Sequence, residues 1–243
     1  MVPQTVFDRE KSTAGRGVNL MRILIIFSII TLFLQGTATG DDTQAEILDG
    51  IKENYCHLSG ISIPYDREVI TRSMTMLGNQ AKGDLASGTI FFKPPGFLRL
   101  EQEKPRPETI IANNEALWWY IPDKKRAYQY SSKEFGRELR LLSDIFRGLV
   151  QVKNSFQVVF LGRNEQGKYE IELVPDPPWQ EIDRIGLTVG EDNSIRVIKI
   201  YNQLGSITIF RLGPLTEKKG FDQGFFRFVA PDGVQVVREE ENQ

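Results

Sequence analysis

The side chains that could do chemistry in this sequence are few. One histidine and one cysteine, His57 and Cys56, stand next to each other in a chain of 243 residues. A zinc site needs three or four His, Cys or carboxylate ligands, and Cys-His or Ser-His-Asp catalysis would have to use this single imidazole. A lone cysteine also excludes an internal disulfide framework. The plainest roles are a small buried side chain for Cys56 and a polar edge for His57. The remaining candidates are carboxylates. Glu170 and Glu172, in "GKYEIELVP", share one strand face about 7 Å apart by the rise per residue, within reach of a glycosidase-like pair. Tyr169, Ile171 and Leu173 stand opposite them, so the simpler reading is the wet face of a half-buried strand. No nucleotide-binding glycine loop, metal-ligand cluster or nucleophile elbow occurs. No catalytic residue, metal or cofactor is expected.

What the sequence has in quantity is apolar surface with a period. At 40% hydrophobic and 26% charged residues it reads as an ordinary globular chain. From Met21 it runs "MRILIIFSIITLFLQGTATG": one arginine, an apolar run from Ile23 to Leu34, then small residues ending at Gly40. That pattern is a secretory signal peptide with cleavage near Gly40, before Asp41. The run is short of the roughly 20 apolar residues of a membrane span, and no basic stop-transfer cluster follows it. Residues 1–20 are polar and aperiodic, which points to translation starting at Met21. The expected organisation is an upstream extension over 1–20, a signal peptide over 21–40 and one domain over 41–243. Removing residues 1–40 takes away four basic and two acidic side chains, leaving 26 against 30, a net charge of −4. A nucleic-acid partner is disfavoured by that balance.

Two helices are expected. Thr43-Gln44-Ala45-Glu46 has the spacing of a capping box, and Ile47, Ile51, Tyr55 and Leu58 follow at helical intervals. Phe135, Leu139, Leu142, Phe146 and Leu149 recur at steps of four, three, four and three after a cap at Ser131 or Ser132. The rest, from Ile61 onward, alternates with period two in about ten runs separated by turn residues such as Gly96, Pro122-Asp123, Glu165-Gln166-Gly167, Glu191-Asp192-Asn193 and Leu204-Gly205. The fold class is mostly β, of α+β type: a strongly curved antiparallel meander with the helices covering its concave face. Ile90 and Phe92 in one run, and Leu98 and Leu100 in the next, make an oily face opposite a wet one. A large open sheet curls, and the space inside is either a dry core or, under loosely packed helices, a cavity.

The segment "ALWWYIP" is apolar on both faces. Alternation puts Leu117, Trp119 and Ile121 on one side and Trp118 and Tyr120 on the other. By analogy with the neighbouring runs the first three are assigned to the concave side; a register shift of one residue would exchange the roles. Leu139, Leu142 and Phe146 complete the concave set from the second helix.

The order of "SGTIFFKPPGFLRLEQEKP", "ETIIANNEALWWYIPDKKRAYQY", "YEIELVPDPP", "IGLTVGEDNSIRVIKIYNQLGSITIFRL" and "FRFVAPDGVQVV" resembles the LolA family, periplasmic carriers that take lipoproteins from the inner to the outer membrane of Gram-negative bacteria. The carrying features are Gly88 through Pro95, Leu117 through Pro122 with Trp118, and Phe226 through Val234. The resemblance implies an incomplete antiparallel β-barrel under a helical lid formed by residues 133–149 and 43–58. It implies a cavity for lipoprotein acyl chains lined by the concave set, with Pro94, Pro95 and Phe97 at the lid or mouth. It also implies a monomer in the periplasm, loaded by an inner-membrane ABC transporter of the Lol type and unloaded to an outer-membrane acceptor. A lipid- or polysaccharide-binding or sensing protein of the same fold is the alternative. One departure is specific: relatives carry an arginine just before the proline of the Lys-x-Pro turn, where it holds the lid by hydrogen bonds. This chain has Pro94 there, which offers no such donor.

Overall fold

The computed structural model describes residues 39–76, 83–113, 115–131, 136–149 and 152–238; for 39–42, Thr75 and 136–140 it describes the backbone alone. Contacts divide the chain into residues 1–42 and Thr43–Gln243, and the second unit carries the fold. Residues 1–38, which include Met21 and the apolar run of the expected signal peptide, lie outside the described residues, as do Ser132, Lys133 and Phe135.

Thirteen strands form one sheet among the described residues. The first meander is β1 (Ile61–Ile70), β2 (Asp84–Lys93), β3 (Phe97–Lys104), β4 (Glu108–Ala112), β5 (Ala116–Ile121) and β6 (Arg126–Ser131). The second is β7 (Phe156–Arg163), β8 (Tyr169–Pro175), β9 (Ile182–Val189), β10 (Ile195–Asn202) and β11 (Ile207–Leu212). They join where β11 pairs with β1, Tyr65 opposite Leu212 and Ile70 opposite Ile207. The strand order is β13-β6-β5-β4-β3-β2-β1-β11-β10-β9-β8-β7, with β12 (Thr216–Glu217) beside the start of β1 and β13 (Gln235–Arg238) at the far edge. The end strands β13 and β7 are not paired with each other, so the sheet curves without closing.

The expected turns sit where the breakers are, and their mechanism is local. Asn164, Asp192 and Asn202 each accept a hydrogen bond on Oδ1 from a backbone N–H two residues on, the Asx geometry that lets a short polar residue start a tight turn. Gly167 and Gly205 then supply the positive φ, at 75° and 85°. Gly88 answers a different need. A Cβ there would lie 1.9 Å from the Glu101 carbonyl oxygen, and the β2–β3 register slips between Ser87 and Gly88. Only a residue without a side chain lets the strands approach this closely at the bulge.

One edge strand departs from the antiparallel pattern of both meanders. After β12 the chain crosses the outer face of the first meander and forms β13, parallel to β6 with Val236 opposite Ala127. Aromatic rings carry this crossing. Phe225 meets Phe91 at 5.1 Å between centroids, Phe226 meets Phe97 at 5.8 Å, and Phe228 covers both Trp118 and Tyr120 at 5.0 and 5.4 Å. Arg99 donates from Nη1 to the Phe225 carbonyl at 2.7 Å, and Asn113 donates from Nδ2 to that of Phe226 at 3.3 Å. The outer face is therefore partly covered rather than uniformly wet.

Helix α1 (Thr39–Tyr55) and helix α3 (Gly136–Phe146) supply the apolar stripes, while a short α2 (Arg72–Met76) follows β1. Helix α1 starts before Thr43, so Thr43 and Glu46 stand within it rather than at its cap. Its residues Ile47, Ile51 and Tyr55 are buried with Leu142, Phe146 and Leu149 in one core with the inward side chains of both meanders. Burying such a side chain contributes about 1.5–3 kcal/mol. Cys56, expected inside, is exposed: helix α1 ends at Tyr55, so the stripe no longer governs where Cys56 points. His57 is exposed at the same end.

Candidate functional site

The registers decide which side chains share the inner face. Ile110 stands opposite Trp119 and Leu100, and Arg67 stands opposite Ala86 and Phe210. Leu117 and Trp119 are on this face, and Trp118 and Tyr120 are on the other under Phe228.

The inner face has two regions. One is packed solid: Ile90, Phe92, Leu98 and Phe146 are each at most 1% exposed within the central core, and the Phe92 and Phe146 rings lie 6.0 Å apart. The other is a cavity of about 390 Å³ bordered by β1, β3, β4, β5, β10, β11 and α3, within the roughly 300–1,000 Å³ of small-molecule sites. Val69, Leu100, Ile110, Leu117, Trp119, Leu142, Ile200 and Phe210 give it apolar walls, with Tyr65, Arg67, Gln102, Glu108 and Thr208 among them.

The polar groups are organised. Glu108, 14% exposed, takes the Trp119 indole Nε1–H on Oε2 at 3.0 Å and pairs through Oε1 with Arg106 Nε at 2.9 Å. Gln102 donates from Nε2 to the Arg106 carbonyl at 3.0 Å and receives Arg67 Nη2–H on Oε1 at 3.1 Å. The Arg67 Nε is buried without a hydrogen-bond partner. Burial pushes the Tyr65 phenol above its ordinary value of 10.0, opposed by Arg67 and helped by Glu108 and Glu103.

Of the concave set, Leu100, Leu117, Trp119 and Leu142 line this cavity. Ile90, Phe92, Leu98 and Phe146 belong instead to the packed region, and Ile121 is buried away from the lining. Leu139 lies in α3 among the residues whose side chains are outside those described. Pro94 and Pro95 form the β2–β3 turn, and neither lines the cavity. Because Leu98 and Leu100 point inward, Phe97 points outward and packs on Phe226, away from the cavity. The alternation rule could have found this. Arg67, Gln102 and Glu108 had no such signal, because polar residues at inward positions violate the pattern used to find the inner face.

The end of helix α1 is fastened to the sheet by two hydrogen bonds. The Tyr55 hydroxyl accepts the Ile195 backbone N–H at 3.1 Å, and Asn54 Nδ2 donates to the Asp192 carbonyl at 2.6 Å, tying the end of α1 to the β9–β10 hairpin. Burial raises the Tyr55 phenol above 10.0, with the Ile195 hydrogen bond opposing. Gly148, after α3, approaches α1 so closely that a Cβ would lie 2.9 Å from the Lys52 Cα.

The carboxylates weighed for catalysis are engaged otherwise. Glu170 accepts from Thr188 Oγ1 at 2.9 Å and Asn164 Nδ2 at 2.8 Å, and Glu172 pairs with Arg184 at 2.7 Å. Among the described residues no group of three or more His, Cys, Asp or Glu could hold a metal ion, and no helix is long and apolar enough to cross a membrane.

A family model described as outer membrane lipoprotein carrier protein LolA matches residues 74–229. An outer-membrane lipoprotein carrier protein from Nitrosospira multiformis is 23% identical over 221 residues, covering 90% of this chain and 100% of its own. The protein of that name from Neisseria meningitidis serogroup B is 23% identical over 227 residues, covering 90% and 97%. Among solved structures, an uncharacterized conserved protein from Thermus thermophilus has a likeness of fold: TM-score 0.50 at 12% identity, over 81% of this chain and 99% of that one.

Proposed function

This chain belongs to the LolA family of outer membrane lipoprotein carriers, and from that premise we propose that it binds acyl chains of lipoproteins in the concave cavity and carries them, without catalysis, across the periplasm. The observation that supports this most is the cavity itself, about 390 Å³ of largely apolar space between sheet and helix beside an otherwise solid core. The dry-core alternative leaves that space unexplained.

The energetics suit a carrier. Each buried methylene contributes about 0.8 kcal/mol, so roughly eight of them give about 6 kcal/mol, an affinity between millimolar and micromolar. A cargo held at that strength can be handed on. Full enclosure of several chains would need a larger opening of the helices, which act as the lid. In this reading residues 21–40 are the signal peptide, an inner-membrane ABC transporter of the Lol type loads the monomer, and an outer-membrane acceptor unloads it.

The two adjacent tryptophans supply the test. Bromine-labelled acyl chains should quench Trp119, which lines the cavity, and leave Trp118, which lies under Phe228 on the outer face. Trp119→Phe should abolish most of the saturable quenching and Trp118→Phe should preserve it. Native mass spectrometry of protein released gently from membranes should show lipid or lipoprotein adducts. A protein that is always empty and shows no quenching would sink the cavity reading. One that binds acyl chains but never releases them to acceptor membranes would be a lipid sensor.

A further inference from the structure

We propose that Arg67 is the head-group site of this cavity and selects amphiphiles whose head carries an anionic oxygen, a carboxylate or a phosphate; the assignment rests on the reading that the cavity takes acyl chains. Arg67 occupies an inward position on β1 after Ile61, Ile63 and Tyr65, where an apolar residue would continue the series. A guanidinium has five N–H donors. One is given to Gln102 Oε1 at 3.1 Å, and Nε is buried without a partner. Among the described residues no carboxylate pairs with it. Glu108, the carboxylate in the same cavity, is committed to Arg106 and Trp119.

Its place fits the role. Arg67 lines both the cavity and an open groove of about 510 Å³ that also contains Asp66, Lys104 and Arg211. Arg211 is paired with Glu68 at 3.0 Å, so Lys104 and Arg67 oppose Asp66 there. A tail in the cavity would thus bring its head to Arg67 and continue outward along the groove. The guanidinium is also held in advance: Gln102 is oriented by donating to the Arg106 carbonyl, which turns its Oε1 toward Arg67. A planar fork fixed at the exit of an apolar cavity matches a carboxylate or phosphate in geometry as well as charge.

The test compares laurate, dodecyl phosphate and lauryl alcohol as competitors of a fluorescent acyl probe at pH 8, with inorganic phosphate alone as a fourth arm. The two anionic amphiphiles should bind about tenfold to a hundredfold more tightly than the alcohol, the range of a hydrogen bond to a charged group. Arg67→Gln should bring the ratio of acid to alcohol affinity, both read in the same variant so that any general loss of acyl binding cancels, down to about one, and Arg67→Lys should restore part of it. Equal affinity of acid and alcohol in the unaltered protein overturns the assignment without needing a variant. A preference that survives Arg67→Gln also overturns it, as does inorganic phosphate binding as tightly as dodecyl phosphate. If the alcohol and both acids all fail to bind, the acyl-cavity reading itself has failed, which the other outcomes leave standing.

Discussion

Replacing Tyr55 by Phe isolates the contact that fastens α1 to the second meander. The hydroxyl accepts the Ile195 N–H at 3.1 Å, and both residues are 3% exposed. Phenylalanine keeps the ring packing and removes the acceptor, leaving a buried donor that water cannot easily reach. An unsatisfied buried group costs about 1–3 kcal/mol. At about 2 kcal/mol, a domain of this size should melt about 4–8 °C lower, readable by circular dichroism. If α1 also moves to admit cargo, the closed state loses the same energy, and the open population rises roughly thirtyfold. Stopped-flow exchange of an acyl probe should then accelerate. A melting shift below about 1 °C would refute the reasoning about the hydroxyl, since a buried N–H left unpaired at about 1–3 kcal/mol requires more. A full shift with unchanged exchange would show that α1 is not the moving element.

Three further perturbations address the site and its frame. Ile110→Trp should fill the cavity; displacing roughly two methylenes of cargo weakens acyl-probe binding about fifteenfold, while the melting temperature hardly changes because the ring enters existing space. A lower melting temperature with unchanged affinity would mean that the space is not available. Gly88→Ala must move the Glu101 carbonyl and should cost about 1–3 kcal/mol in the denaturant midpoint; a neutral result would remove the close approach from the account of the bulge. Tyr55 and Tyr65 both have phenols raised above 10.0, chiefly by burial, so the folded state holds these protons more tightly than the unfolded chain. Their contribution is fully present below pH 10 and lost as pH rises through the folded values. Denaturation midpoints should fall above pH 10, and less steeply in Tyr55→Phe.

The alternating strands were legible because their period survives on one face regardless of what covers the other, and the Leu117/Trp119 face followed from that. The β9–β10 and β10–β11 turns were legible through Asp192 and Gly205. Strand β1 was harder. Pro64 interrupts it, yet sits where the neighbour of β1 changes from β11 to β12, with Gly213 donating to its carbonyl. The parallel edge β13 depends on a crossing held by tertiary ring contacts, which no local pattern encodes. Likewise, the division of the inner face into solid core and cavity depends on how α1 and α3 lie, so Phe92 and Leu100 look alike in sequence and differ in place. The polar lining was invisible because Arg67, Gln102 and Glu108 occupy positions where apolar residues were sought.

Pairing β1 with β11 has a kinetic meaning. The strand that leads the fold waits for nearly the last one before its second edge is satisfied, since Tyr65 meets Leu212 and Ile70 meets Ile207. Until then Ile61–Ile70 is an open template bordered by its hairpin partner alone, and loop closure between such distant segments is slow. The completed sheet should therefore appear in one late event rather than strand by strand, and a chain cut short before residue 207 would present an unguarded edge to other copies of itself.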